Sequence, residues 1–318
     1  MKRILCLLLA VFMLTPLLSA CGPDDTTIRV GVLSGPTAMG ALKLMKEGDE
    51  RYEFEIYTSP DLIVGDIIAG NLDIAALPTN NAAMLYNQGA DIRVIALNTL
   101  GVLHLLDATG TVTELSDLEG KTVYVPNAGS NPEYVLRHVL AMNGINATVK
   151  TSVVQPAMIQ QGLLNGTIGI AVLPQPAATA TVVKATSQGK TVTAPLDLSV
   201  EWNKDEATPV VQGCLVASAD FCKDHPRAIA EFLEKYEASV DYMTDEANLE
   251  AAAALVVEYG ILPAAAVAKK ALPKCAITYV DGPEMKVALD AFYNILHGYA
   301  PASIGGSVPG ADFYYNAK

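Results

Sequence analysis

The sequence predicts an α/β protein built from two similar units, and three observations carry that expectation. The first is a duplication: residues 67–81, IIAGNLDIAALPTNN, recur without a gap as residues 163–177, LLNGTIGIAVLPQPA. Gly70 aligns with Gly166, Ile74 with Ile170, Ala75 with Ala171 and Pro78 with Pro174. In each copy a helix ends at a glycine, a strand of small and branched residues follows, and a proline stops the ladder. Two unrelated buried strands of similar composition are the alternative. The second observation is that short apolar strands alternate with helical stretches along both halves of the chain, which implies parallel sheets with crossover helices. The third is a pair of loops rich in glycine, serine and asparagine, at matching places, each leading from a strand into a helix.

Taken in order, residues 28–33 read as a buried strand that runs into Ser34-Gly35-Pro36-Thr37-Ala38-Met39-Gly40, which opens a helix through about residue 47. A proline near the first helical turn, among small residues, leaves backbone N–H groups uncovered. Strand 52–57, helix 60–69, the repeated strand 72–77, helix 79–87 and strand 92–97 complete the first series. A second begins after Gly101: a polar turn at 115–121, strand 122–125, the loop 126–134, a helix to about 143 that ends at Gly144, strand 148–153, helix 157–165 and the second copy of the repeated strand. Asn131 is the expected N-cap of the helix that follows the loop, with Pro132 at its first position. Residues 208–218 read as a strand returning to the first unit, and with 99–105 they form the expected two-strand hinge. The remainder is helical: 226–243 with apolar residues at helical spacing, then 247–259, 263–272 and 283–296, expected as scaffold on the first unit.

The totals bound the function. A chain of 318 residues, 51% of them hydrophobic, can bury two cores, and a net charge of −13 argues against a nucleic-acid partner. Lys2 and Arg3, an apolar run over 4–14 and small residues before Cys21 form the pattern of a removed secretory leader, residues 1–20. That run is shorter than the roughly 20 residues a membrane span needs. Residues 21–27 read as a polar tether. The body then keeps Cys214, Cys222 and Cys275, so at most one disulfide can form. Cys214–Cys275 is the expected pair, since both lie in apparent strands while Cys222 sits at a helix entrance.

Five features in one order resemble a known family. Leu18-Ser19-Ala20-Cys21 resembles a bacterial lipobox, which implies acylation of Cys21 and cleavage before it. G-P-T-x-M-G at 35–40, AGxLDIAALPTN at 69–80, D-L-x-G-K-T at 117–122 and D-x-P-x-A-I-x-x-F-L at 224–233 follow. Together they are similar to solute-binding lipoproteins of ABC importers, in the branch that includes sulfonate, nitrate and thiamine-precursor binders, the NMT1-like proteins. The resemblance implies a two-lobed periplasmic-binding-protein-like fold of type II with a ligand cleft between the lobes. Lobe 1 would be 28–100 and 209–318, and lobe 2 101–208. It further implies a monomer that closes on a small organic solute, docks on an ABC permease with its ATPase, and is lipid-anchored at the outer face of the cytoplasmic membrane or on the periplasmic side. Enzymes on the same fold, a lyase or a pyrimidine synthase, are the alternative, as is a sensory lipoprotein presenting ligand to a receptor kinase.

The candidate ligand residues are Gly35, Pro36, Thr37, Ala38 and Met39 in the first loop, Gly129, Ser130 and Asn131 in the second, and Thr79, Asn80, Asn81 and Gln175 at the duplicated strand ends. Ligands of open α/β sheets bind at the carboxyl ends of strands, and loops that open helices offer N–H groups to ligand oxygens. The same residues read equally well as helix caps and turns. Tyr86, Tyr124, Tyr134 and Trp202 could stack on a planar solute or simply pack. His104, His138, His225 and His297 show no metal-ligand spacing, and no GxSxG, P-loop or GxGxxG occurs, so neither metal, cofactor nor catalytic residue is expected.

Overall fold

A computed structural model describes residues 26–153 and 155–316. The leader, Cys21 and most of the tether lie outside the described residues.

The first series is β1 (Ile28–Leu33), α1 (Pro36–Met39), α2 (Leu42–Glu47), β2 (Tyr52–Tyr57), α3 (Pro60–Ile68), β3 (Ile74–Pro78), α4 (Thr79–Asn87) and β4 (Ile92–Leu100). The second is β5 (Leu103–Asp107), β6 (Thr122–Tyr124), α5 (Asn131–Met142), β7 (Thr148–Lys150), α6 (Pro156–Asn165), β8 (Ile170–Pro174), α7 (Ala177–Ser187), β9 (Thr193–Asp197) and α8 (Leu198–Trp202). The chain then returns through β10 (Val211–Ser218), α9 (Ala219–Asp224), α10 (Pro226–Thr244), α11 (Leu249–Glu258), α12 (Ala265–Ala271), β11 (Ile277–Val280) and α13 (Gly282–Tyr299).

Two sheets result, ordered β11-β4-β10-β3-β1-β2 and β7-β6-β8-β5-β9. The duplicated strands occupy equivalent places. β3 pairs in parallel with β1 and antiparallel with β10, as β8 pairs with β6 and β5. Both copies end their preceding helix at a left-handed glycine, Gly70 at φ +72° and Gly166 at φ +76°. The likeness reaches back to the helix starts, because α3 and α6 open on Pro60 and Pro156, with Ile63 and Ile159 buried at the same place in each.

Side-chain alternation sorts the first sheet into two cores. Leu77, Leu97, Cys214 and Val216 face Met285, Leu289 and Phe292 of α13, whereas Ile74, Ala76, Ile95 and Leu215 face Leu42 of α2 and Phe232 and Tyr236 of α10. Burying each of the large side chains stabilises the fold by about 2 kcal/mol. The α13 core continues into the second unit, where Trp202 of α8 lies 5.7 Å from the Phe292 ring and 4.6 Å from His138 of α5. In the second unit Asp107 is buried, and its carboxylate accepts hydrogen bonds from the N–H groups of Thr109, Thr111 and Val112, which fixes the loop leaving β5.

Four differences from the sequence reading have physical causes. The helix expected over 36–47 breaks at Gly40-Ala41, because Ser239 of α10 inserts its hydroxyl into the ladder. That hydroxyl donates to Gly40 O at 2.6 Å and accepts from Leu44 N at 3.1 Å, in place of the direct Leu44-to-Gly40 bond. The 99–105 stretch is not one connecting strand. It splits at Gly101-Val102 into the end of β4, paired with β10, and β5 of the other sheet. A Cβ on Gly101 would stand 1.9 Å from Ser199 Oγ, so only glycine lets α8 pack on this crossing. β9 carries Pro195 and escapes the pattern because it is an edge strand, where a missing N–H costs no ladder bond.

The fourth is the expected Cys214–Cys275 disulfide: both residues, and Cys222, are free buried thiols. Cys214 points into the α13 core, Cys275 belongs to the α10 core on the other face of the sheet, and Cys275 Sγ instead donates to Ala271 O. Burial pushes the thiols of Cys222 and Cys275 up to about 12 and that of Cys214 up as well, which removes the reactive thiolate. Maleimide labelling should therefore leave the three cysteines of the folded body unmodified and reach all of them in denaturant. A non-reduced digest yielding a Cys214–Cys275 peptide would show that the sheet does not separate them.

Candidate functional site

The carboxyl ends of β1, β3 and β4 and the start of β10 form one edge of the first sheet, and this edge carries most of the residues singled out from the sequence. Gly35 adopts φ +123° and ψ −153°, a conformation open essentially to glycine alone, and Ala38 and Met39 direct their N–H groups back to its carbonyl. Thr37 donates its hydroxyl to Leu33 O at 2.6 Å, and Met39 is fully buried in the α10 core. This loop is a tight, self-bonded turn beneath a four-residue helix.

At the end of β3 the chain turns directly into α4. Thr79 and Asn80 are buried and Asn81 is half-buried beside them. Three partners fix Thr79: its hydroxyl donates to Val211 O at 2.6 Å, its carbonyl accepts from the Tyr293 hydroxyl at 2.8 Å, and its oxygen Oγ1 accepts from Asn131 Nδ2 at 3.0 Å. Asn131 comes from the other unit. A second, longer bond runs the opposite way, from Asn80 Nδ2 to Gly129 O at 3.4 Å. The first strand-end corner and the second Gly/Asn loop, 52 residues apart in sequence at Thr79 and Asn131, thus meet directly across the lobes.

The second loop is arranged differently from the sequence expectation. Ser130, not Asn131, holds the N-cap position of α5, and its hydroxyl turns back to Pro126 O at 3.0 Å. Asn131 is thereby the first helical residue and is free to reach Thr79. Gly129 sits at φ +76°, and its N–H donates to Glu133 Oε2 at 2.8 Å, while Glu133 Oε1 accepts from Arg137 Nε at 2.8 Å. The N–H expected to meet a ligand is therefore already satisfied by the chain's own carboxylate. Gln175 likewise faces inward: its Oε1 accepts from Thr179 N and its backbone N–H donates to Val102 O. The structure does not bring Gln175 to the Thr79–Asn131 contact through any bond; it serves the start of α7 and the crossing between sheets.

Three of the four aromatic candidates serve as packing or tail contacts. Trp202 is buried and donates Nε1–H to Thr208 O, Tyr86 packs on Phe313 and bonds Asp312, and Tyr124 lies under Lys150. Tyr134 stands next to the second loop, its hydroxyl 3.7 Å from where a Gly129 Cβ would be.

Sequence reasoning missed Asn98, Thr99, Gln212 and Gly213. A Cβ on Gly213 would stand 2.5 Å from Asn98 Oδ1 and 2.7 Å from Thr37 Cγ2, so this glycine lets β4, β10 and the first loop converge. Asn98 Oδ1, Thr99 Oγ1, Gln212 Nε2, Asn80 Oδ1 and Asn131 Oδ1 are all buried without a hydrogen-bond partner. Buried polar atoms are nearly always bonded, and these five, four at the ends of strands of the first sheet and one on the facing helix α5, are exceptions among the described residues. Asn98 and Thr99 could have been found as the two polar residues that follow the apolar run Val94–Leu97 in the strand IRVIALNTL.

A comparison with curated protein sequences finds no match. Among solved structures, an ABC transporter protein from Parabacteroides distasonis is 25% identical, with a TM-score of 0.79 over 92% of this chain and all of the other. The periplasmic aliphatic sulphonate-binding protein of Escherichia coli superposes at 16% identity and TM-score 0.71 over 92% of this chain and 96% of its own. The periplasmic nitrate-binding protein of Synechocystis superposes at 16% identity and TM-score 0.58, over 74% of this chain and 66% of the other. The fold is thus the two-lobed one of periplasmic binding proteins. A sequence model of the NMT1-like family matches residues 61–257, well over half the chain, from α3 through the crossing, the whole second sheet and into α11, and the protein belongs to that family.

Proposed function

We propose that the protein is the solute-binding component of an ABC importer, anchored by an acylated Cys21 outside the cytoplasmic membrane and handing a small organic solute to a permease. The observation that carries this reading is the Asn131–Thr79 bond across the lobes, with unpaired buried amide oxygens on both sides of it. We take the lobes as 28–100 with 209–318 and 101–208, a division supported by the two sheets drawing their strands from 28–100 with 211–280 and from 103–197. The candidate ligand residues Thr79, Asn80, Gly129 and Asn131 are the ones that meet where those lobes touch. The structural neighbours, an ABC transporter protein and sulphonate and nitrate binders, support the same reading.

The mechanism follows from where the bonds lie. Opening the lobes breaks Asn131-to-Thr79 and Asn80-to-Gly129 together and wets four polar groups; closing buries them again. A solute that supplies partners for the amide oxygens left over favours the closed form, and a permease that recognises both lobes at once then senses loading. The protein's own residues bind and release; none is assigned a covalent step.

Three experiments test the reading. A thermal-shift screen of small organic solutes should find one that raises the melting temperature and compacts the protein in small-angle scattering, since a ligand of the native state stabilises it. Thr79→Val keeps the shape but removes both the donor to Val211 and the acceptor for Asn131, leaving a buried amide unpaired at a cost of about 1–3 kcal/mol. Solute affinity should fall by about 5- to 150-fold, with the unliganded fold retained. Unchanged affinity would place the site elsewhere. Cys21→Ala should move the protein from the membrane fraction of intact cells to the soluble one, and retention in the membrane would exclude anchoring through that residue.

A further inference from the structure

The hydrogen bonds between the lobes fix which end of each amide is left for a ligand. The Thr79 hydroxyl has one proton, and it goes to Val211 O, so toward Asn131 this oxygen can only accept. Asn131 must therefore present Nδ2 to it and keep Oδ1 free. Gly129 O is a carbonyl and also can only accept, so Asn80 must present Nδ2 and keep Oδ1 free. Both amides are 2% exposed, and both Oδ1 atoms are without a partner among the described residues. Neither amide can flip without placing oxygen against oxygen, so each keeps its Oδ1 unpaired.

Three donors that an anionic solute could use, Gly129 N–H, the Thr37 hydroxyl and Thr179 N–H, are engaged. Gly129 N–H donates to Glu133, whose carboxylate occupies the start of α5 with Arg137 balancing it from the far side. The Thr37 hydroxyl donates to Leu33 O, and Thr179 N–H donates to Gln175. An incoming carboxylate, sulfonate or nitrate oxygen would meet two amide oxygens and a carboxylate. Gln212 Nε2 and Thr99 Oγ1, buried without a partner among the described residues, are donors that acceptor atoms of a neutral ligand can meet.

Resting on the reading that the interface between the lobes takes a solute, we infer that this solute is not an anion: it is a small neutral or cationic molecule that brings at least two N–H or O–H donors, one to Asn80 Oδ1 and one to Asn131 Oδ1. It thereby differs in class from the sulphonate and nitrate ligands that two of the structural neighbours are named for.

The test is a calorimetric and thermal-shift comparison of matched probes on the full chain. Benzamide, benzamidine, cytosine and ethanolamine carry donors; benzoate, benzenesulfonate, ethanesulfonate and nitrate are anions without them. The expected result is binding confined to the first group, weakened about fivefold by Asn80→Leu or Asn131→Leu, as for loss of one neutral hydrogen bond. Circular dichroism identifies any variant that fails to fold, and the probe comparison on the unaltered protein stands without it. Binding of an anion that depends on Asn80 and Asn131 would overturn the donor assignment while leaving the solute-binding role intact. Donor probes that bind with no dependence on either asparagine would overturn the assignment of these two oxygens. Failure of every probe in both groups would remove the site itself, and the inference with it.

Discussion

The Thr79 hydroxyl is the interaction on which the closed arrangement depends. It lies at the end of β3, is fully buried, and bonds to β10 of its own sheet and α5 of the other lobe through one oxygen. Each of these bonds sets the direction of the next. The bond to Val211 O uses the only proton and so dictates that Asn131 donates. Tyr293 of α13 holds the Thr79 carbonyl, and α13 also carries Phe292 against Trp202 of the second lobe. The polar contact across the lobes is thus backed by the apolar core beneath it, and neither could shift without the other.

The fold was legible because its signals are local and repeated. Gly70 and Gly166, Pro78 and Pro174 read as helix stop and strand stop in the sequence, and the structure gives both copies the same neighbours in their sheets. What was not legible depends on side chains far away in sequence. The break at Gly40 is made by Ser239, the crossing at Gly101 is shaped by Ser199, and the sides taken by Cys214 and Cys275 follow from sheet alternation that a strand-like context alone cannot phase.

The same distinction runs through the site. Thr79, Asn80, Gly129 and Asn131 were singled out because strand ends and helix starts in open α/β sheets gather ligands, and the structure brings the four together. Their bonding could not be read, since a polar residue at a helix start looks alike whether it caps, bridges or waits for a ligand. Gln175 shows the point: its counterpart corner reaches across the lobes, yet Gln175 itself turns back onto α7. Duplication of backbone did not duplicate side-chain roles.

That asymmetry explains how one fold can receive solutes of different charge. The backbone at each corner is set by the glycine, the proline and the sheet, and these are shared by both copies. The polarity presented to the cleft is set by which partner each side chain already has. Glu133 satisfies Gly129 N–H from within its own helix, and a helix start that elsewhere would attract an anion carries instead an internal carboxylate. A change of one residue in such a pair alters what the cleft accepts without moving a strand, because the residues that build the lobes and the residues that choose the solute are different ones.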